Sequence, residues 1–397
     1  MVARGLLVVG LDASAIAASA SSSGHIVYAA DYFGDRDTMS VTKKNLSLSN
    51  QVPRRSSGRV VERFSPAGLV KLARKLAQEY CIDGILLGSG LEDSPEELEA
   101  LQDLAPILGN SIDVISKVRD KVSFFSVLAE KQIRCPETIQ AGDAKAAEEA
   151  ARKLGYPVVV KPLHGFGGTG VRFIQDSRTL QSAVHSGEEV LVQKFVRGIA
   201  ASASVIGTGR ESAVLTVNEQ ILGDCQLGAS SRFAYCGNVV PLDVPSSTLR
   251  RCQSVSADVS NAFGLIGSNG VDFVLDESGL PWVVEVNPRF QGTIECVERV
   301  LEINLVEVHL AACCGRLLDL PEVSPRFSAR LVLYGHQRCS IPDLSVFTEI
   351  KDIPFPDAIV EKGEPVCSVV TGGNTRDQCI RDARELARKI YVLLTAE

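Results

Sequence analysis

"VVVKPLHGFGGTGVRF", residues 158–173, runs three valines into a lysine and a proline, then places four glycines within six residues. Val158, Val159 and Val160 read as a buried strand, because branched side chains suit a pleated, packed surface. Lys161 ends it with a charge that such a strand does not bury unpaired. Gly165, Gly167, Gly168 and Gly170, with Thr169 among them, lift the steric limits on the backbone, so successive N–H groups can turn towards one point. Such a loop suits a phosphate. The glycines alone leave a plain flexible hairpin open as the alternative.

A second stretch, "GVDFVLDESGLPWVVEVNPRF" (270–290), favours the phosphate reading. Glu277, Ser278 and Gly279 form a turn between alternating apolar runs, which predicts a hairpin. Folding about that turn sets Asp272 opposite Glu285, with Asn287 two residues further along. Side chains alternate in a strand, so Asp272, Glu285 and Asn287 share one face, while Phe273, Val284 and Val286 are expected on the other. Two carboxylates in cross-strand register repel. A hard cation removes that penalty, and two carboxylates plus an amide suit Mg²⁺, which takes further ligands from water and nucleotide phosphates. Arg289 follows on the same face, placed to meet a phosphoryl group or a developing oxyanion.

The chain has 397 residues, enough for two or three domains, and its composition (45% hydrophobic, 22% charged) is that of a globular protein. A net charge of −7 without a basic stripe argues against a nucleic-acid partner. The cluster from Arg54 and Arg55 to Arg59 reads as a solvated loop. The apolar runs are too short for a bilayer, and Asp12 spoils a signal-peptide core at residues 5–10. Eleven scattered cysteines with no C-x-x-C pair imply neither a disulfide framework nor a zinc site, so a cytoplasmic setting is expected.

Residues 5–33 read as strand, small-residue helix, strand, although Gly10-Leu11-Asp12-Ala13-Ser14 lacks the full dinucleotide fingerprint. With an amphipathic helix at 66–80, a strand at 81–90 and a helix capped by Ser94, residues 1–110 form a parallel-sheet, Rossmann-like α/β domain. One long helix is predicted over 111–133, a shorter one over 144–155, and a strand over 189–198. Antiparallel strands follow over 203–245, interrupted by an irregular insert. The tail has strands at "RLVLYGH" and "PVCSVVTGG" and a closing helix, 375–394. The expected division is 1–110, 111–325 with a lid at about 120–200, and a small α+β subdomain at 326–397.

In this order the motifs resemble the ATP-grasp superfamily, over roughly residues 105–325, and most of all a carboligase-like branch related to biotin carboxylase and carboxylate–amine ligases. The resemblance implies two α+β domains closing on ATP under a mobile lid. "GNSIDVISKVRDK" looks like the helix bringing a first phosphate lysine, Lys121, and "VVVKP" supplies the second, Lys161. "GFGGTG" is the phosphate loop, of which Gly165, Gly167, Gly168, Thr169 and Gly170 would hold nucleotide. "LVQKFVRG" looks like the adenine hinge, with Gln193, Lys194 and Val196. "VVEVNPR" is the metal strand, for Mg²⁺ or Mn²⁺. Two departures stand out: Ile199, Ala200 and Ala201 follow Gly198 where relatives have an acid near the ribose, and Gly270 stands where D-alanine–D-alanine ligases have an arginine.

The implied reaction joins a small-molecule carboxylate and an amine, amino acids among them, through an acyl phosphate, with Arg289 and Lys161 as catalytic cations. Arg232, Tyr235, Asn238 and Arg289 are the candidate substrate contacts, against a packed connecting loop as the alternative. His164 either meets phosphate or caps the turn. A bicarbonate-activating carboxylase and a non-catalytic ATP-binding protein are the competing functions. Neither nucleic acid nor membrane is expected as partner, and a homodimer is left open.

Overall fold

Strands such as "LLVV" and "ILL" are apolar on both faces, and a sheet built from them needs cover on both sides. In the computed structural model, which describes residues 4–49, 51–56, 64–165, 167–185, 187–321 and 326–396, they form a four-stranded parallel sheet. Its order is Lys44–Ser47, Ile26–Asp31, Gly5–Gly10, Gly84–Leu87. Leu7, Val9 and Ile85 pack towards Leu69, Leu76 and Leu98 of the helices Pro66–Glu79 and Pro95–Gln102. Leu6, Val8 and Leu86 pack on the other side with Ala17 and with Val297 and Val300 of Ile294–Leu301. Ser94 precedes Pro95 at the helix start but makes no side-chain capping bond. Arg59, Phe166 and the stretch 322–325 lie outside the described residues.

A second, four-stranded antiparallel sheet has the order Thr138–Ala141, Val190–Lys194, Val158–Pro162, Arg172–Ile174. Its apolar face packs on Ala144–Leu154, a helix capped by the Asp143 side chain. The strand predicted over 189–198 ends at Lys194, and Gly198 opens the next one.

The largest sheet has eight strands, in the order Pro281–Asn287, Ile266–Asp276, Gly198–Thr208, Ser212–Leu222, Tyr235–Val240, Phe327–Tyr334, Pro365–Gly373, Ile350–Lys351. Strands from both sides of the expected boundary at 326 belong to it, since Asn238 pairs with Arg330. Its two faces differ in chemistry. Val217, Val271, Phe273 and Val283 pack under the helix Ser246–Phe263. On the opposite face the register lines up Asp272 with Ser202, Ser202 with Asn218, Gln220 with Asn238, and Asn238 with Arg330. Asp272, a candidate metal ligand, lies on this polar face. Among the described residues, no helix is long and apolar enough to cross a membrane.

Candidate functional site

Asp272 pairs with Glu285, as expected, and Gly270 with Asn287, but a bulge and not the turn alone sets this register. The hairpin is not regular. Phe273 pairs with Val283, so Val284 is one extra residue between two paired positions. The bulge turns Val284 to the same side as Glu285, where both line the cleft, while Val283 and Val286 join Phe273 in the core. The expectation that Val284 shares the core face with Phe273 and Val286 is thus corrected by one inserted residue. Gly270 has its own reason: a Cβ there would lie 2.5 Å from Cδ of Gln291, so that side chain fills the space.

The helix predicted over 111–133 is two helices, Ile112–Arg119 and Lys121–Glu130. Asp120 between them is extended (φ −67°, ψ 101°), and its carboxylate accepts the N–H groups of Val122 and Ser123. This is the local side-chain bonding by which Asp favours a helix start over a helix interior. The break lets both flanking cations reach one carboxylate: Arg119 donates to Oε1 of Glu285 at 2.6 Å and Lys121 at 3.2 Å. Burial alone would raise the Glu285 pKa, but Lys121, Arg119 and Lys161 outweigh it and hold the group down at about 2. Asp272 is pushed up to about 6 by burial and by the charge of Glu285, against Arg289 and a hydrogen bond from Asn287 (3.0 Å). Lys161 is pushed down to about 8 by burial; Lys121 adds to this, and Glu285 and Asp272 oppose it.

Lys121, Lys161, Gly165, Gly167, Gly168, Thr169, Gln193 and Glu285 line a single cleft. The four loop glycines have φ of +150°, +62°, +78° and +74°. At Gly168 the absence of a side chain is required twice over, because a Cβ would lie 1.9 Å from the Phe233 carbonyl oxygen. The loop is seated at both ends: Arg119 donates to the Gly165 carbonyl (3.1 Å) and the Tyr235 N–H to that of Gly167 (3.3 Å). His164 is largely exposed, with Nδ1 at 3.6 Å from Asp93. Gln193 is buried and donates to Thr138 (2.8 Å). Lys194 and Val196 stand outside the cleft lining; Lys194 is exposed, and its N–H bonds the Glu137 carbonyl at 2.9 Å.

The candidate substrate residues divide. Arg232 lies over the rings of Phe173 (4.2 Å) and Phe195 (5.5 Å), bridging the two antiparallel sheets. Tyr235 and Asn238 hydrogen-bond each other on the polar face, and burial raises the Tyr235 pKa. Cys236 is buried, its thiol pKa likewise raised by burial, which disfavours a nucleophile.

Four charged residues join the site unpredicted. Arg119 is bonded to both oxygens of Asp93 (2.6 and 2.7 Å), and Arg289 Nε donates to Glu92 at 2.5 Å. Arg330 lies further along the polar face, bonded to Glu295 and Asp352 at 2.5 Å each and near Asp12 at 3.7 Å. One signal was available for the acids: Glu92 and Asp93 follow the carboxyl end of a parallel strand, where α/β sheets place ligands.

The donor set fits a hard cation and a polyphosphate. Among the described residues no cluster of three or more His, Cys, Asp or Glu has metal-binding spacing. Two carboxylates and one amide on a single hairpin are instead the incomplete oxygen set that Mg²⁺ completes with water and phosphate. Two lysines and a positive-φ glycine loop share the cleft with Glu285 of that set, while Asp272 and Asn287 stand outside the cleft lining.

Residues 118–293 match the ATP-grasp domain family. An uncharacterized protein of Methanocaldococcus jannaschii is 25% identical over 372 residues, 93% of this chain and 88% of that one. The carbamoyl phosphate synthase large chain of Ralstonia nicotianae is 25% identical over 64% of this chain, a match spanning 24% of that much longer protein. Three solved structures share the fold. Biotin carboxylase from Campylobacter jejuni superposes with a TM-score of 0.73 at 17% identity, covering 96% of this chain and 89% of that one. The biotin carboxylase domain dimer of Hydrogenobacter thermophilus 2-oxoglutarate carboxylase, in complex with MgADP, ADP and bicarbonate, gives 0.73 at 14%, covering 99% and 90%. L-amino acid ligase from Bacillus licheniformis gives 0.71 at 16%, covering 97% of each.

Proposed function

We propose, from the premise that residues 118–293 are an ATP-grasp domain, that this chain is an ATP-dependent ligase joining a small-molecule carboxylate to an amine through an acyl phosphate. One observation carries the reading: two lysines and a glycine loop face a hairpin whose Asp272 and Glu285 are in direct register. A carboxylate is a poor electrophile, and Mg²⁺ (or Mn²⁺) with ATP would supply the phosphoryl group that turns one of its oxygens into a leaving group. Lys121, Lys161 and the N–H groups of Gly165, Gly167, Gly168, Thr169 and Gly170 would hold the phosphates in line. Asp272, Glu285 and Asn287 would hold the metal. Gln193, Lys194 and Val196 remain the proposed base contacts. Residues of about 120–200 act as the lid that keeps water from the acyl phosphate.

Arg289 is suited to the oxyanion. Its guanidinium has five N–H donors. Nε donates to Glu92, one terminal nitrogen to the Phe290 carbonyl (2.8 Å) and the other to Asn287 (3.1 Å). Two donors remain, one on each terminal nitrogen, which is the fork that a carboxylate or phosphoryl group accepts. Tyr235 and Asn238, on another strand of the same sheet, would contact the acceptor, as would Arg232. A homodimer is the assembly we propose, on the precedent of the dimeric Hydrogenobacter domain.

Likeness to biotin carboxylase folds supports a second reading, activation of bicarbonate. Incubation with ATP, Mg²⁺ and an amino-acid pool separates the two. Phosphate release that requires an amino acid supports ligation; release that requires bicarbonate overturns it in favour of carboxylation.

A further inference from the structure

Glu92 and Asp93 are adjacent in one loop of the parallel-sheet domain, just beyond the strand Gly84–Leu87, yet their partners are Arg119, which lines the cleft, and Arg289, which follows the hairpin strand Pro281–Asn287. Asp93 takes Nε and one terminal nitrogen of Arg119 in a forked pair, and its Oδ2 also accepts the Gly165 N–H at 3.2 Å. Arg119 in turn reaches Glu285 and the Gly165 carbonyl. Glu92 takes Nε of Arg289, its other oxygen being fixed by the Gly90 N–H at 2.6 Å. The Glu92 and Arg289 side chains are 10% and 13% exposed, and Arg119 is 7% exposed, so these are desolvated, charge-assisted pairs rather than surface ones.

The placement of each acid has a different consequence. Arg119 and Lys121 both bond Oε1 of Glu285, which leaves Oε2 for another ligand. Without Asp93, the far edge of the Arg119 guanidinium keeps only the Gly165 carbonyl as partner, and the arginine can then fork onto both oxygens of Glu285 and release Gly165. Glu92 acts on the other arginine. By occupying Nε it holds the guanidinium, whose two terminal nitrogens each keep one donor.

We propose that Glu92 and Asp93 are positioning residues: Asp93 sets the phosphate loop and keeps one Glu285 oxygen open, while Glu92 aims the Arg289 fork. The parallel-sheet domain thereby takes part in the nucleotide and oxyanion sites through a single dipeptide. The role of Glu92 rests on the ligase reading above; that of Asp93 has a consequence without nucleotide.

The test uses the full chain as wild type, Asp93→Asn and Glu92→Gln, with hydrogen exchange of the 164–170 segment in nucleotide-free protein, Mg-ATP titration calorimetry, and phosphate release with the amino-acid pool. Asp93→Asn is expected to speed exchange at Gly165 and to weaken Mg-ATP binding, each by about tenfold or more, as loss of a supporting shell does. Glu92→Gln is expected to leave exchange and Mg-ATP affinity within about twofold and to lower kcat by about tenfold or more with the nucleotide KM unchanged. Should an amide variant fail to fold, Asp93→Glu and Glu92→Asp keep the charge and are expected to show the same division at smaller size. Wild-type exchange and affinity in Asp93→Asn, or equal effects of the two variants on all three readouts, overturns the proposal. Wild-type protein that binds no Mg-ATP removes the ligase reading instead, and the exchange contrast still decides the role of Asp93.

Discussion

Raising the pH from about 7 to about 9 is expected to weaken Mg-ATP binding about tenfold, and Lys161 is the reason. Burial pushes its ammonium down to about 8, with Lys121 adding to the effect and Glu285 and Asp272 opposing it. Such a group is about nine-tenths charged at pH 7, half charged at pH 8 and about one-tenth charged at pH 9. Only the ammonium makes a charge-assisted bond to phosphate. Because bound phosphate keeps the proton on, affinity follows the charged fraction of the free protein, and the tenfold change is about 1.4 kcal/mol. Unfolding cannot mimic the loss. A lysine whose pKa is depressed by folding binds fewer protons folded than unfolded between about 8 and the ordinary 10.5, so its contribution to stability rises with pH across that window. Calorimetric titration at three pH values and constant ionic strength reads the slope. Lys161→Arg should flatten it, Lys161→Met should be flat and at least about tenfold weaker at pH 7, and Lys121→Met should move the midpoint upward by removing a repelling charge. A flat wild type, or an undiminished slope in Lys161→Arg, would refute the assignment of Lys161 as a phosphate contact.

Three further outcomes are expected. Glu285→Gln and Asn287→Ala should abolish turnover at saturating Mg²⁺ while circular dichroism stays native, and nearly normal turnover in both would remove the metal assignment. Gly168→Ala, whose Cβ meets the Phe233 carbonyl, should drive the loop off its seat and expose the Tyr235 amide to exchange; Gly167→Ala, with no atom within 4 Å, should cost only the positive-φ strain, about 1 kcal/mol, and leave that amide protected. His309 is 3% exposed and held neutral, pushed down to about 4 by burial against a bond to the Leu108 carbonyl. The unfolded chain binds a proton there that the fold does not, so acidification from about pH 7 to pH 5 should remove about 2 kcal/mol that His309→Gln does not lose, as read by urea unfolding.

The hairpin and the glycine loop were legible because they are local. A period-2 alternation folded about Glu277, Ser278 and Gly279 predicts the hairpin and its pairing as far as Phe273 with Val283, and the bulge at Val284 then brings Glu285 opposite Asp272. Val284 was not, since a bulge inserts a residue without disturbing the apolar composition that the pattern reads. The helix break at Asp120 was hidden in the same way: Ile115, Val118, Val122 and Phe125 keep helical spacing across it, and only the capping bonds of Asp120 mark the stop. Glu92 and Asp93 could not be assigned to Arg289 and Arg119 from the chain, because the partners are 197 and 26 residues away. Nor could the pairing of Phe327–Tyr334 with Tyr235–Val240, which carries one sheet from the hairpin into the tail.

The break at Asp120 decides more than the length of a helix. Had the helix run on, Arg119 and Lys121 would project about 200° apart around its axis, and only one could reach the cleft. With Asp120 extended, the last residue of one helix and the first of the next meet the same Glu285 oxygen. Three cations then act on Glu285 and hold it ionised at about 2 even though burial opposes this, while Asp272, facing Arg289 and lacking such company, stays near 6. The two carboxylates of the hairpin are therefore unequal before any ligand arrives. Glu285 is a fixed negative charge with one oxygen tied to protein, and Asp272 is the partner that titrates closer to neutral pH. The capping bonds that hold Asp120 extended are each of an ordinary size, about 1 kcal/mol. What they hold in place is the charge asymmetry between Asp272 and Glu285.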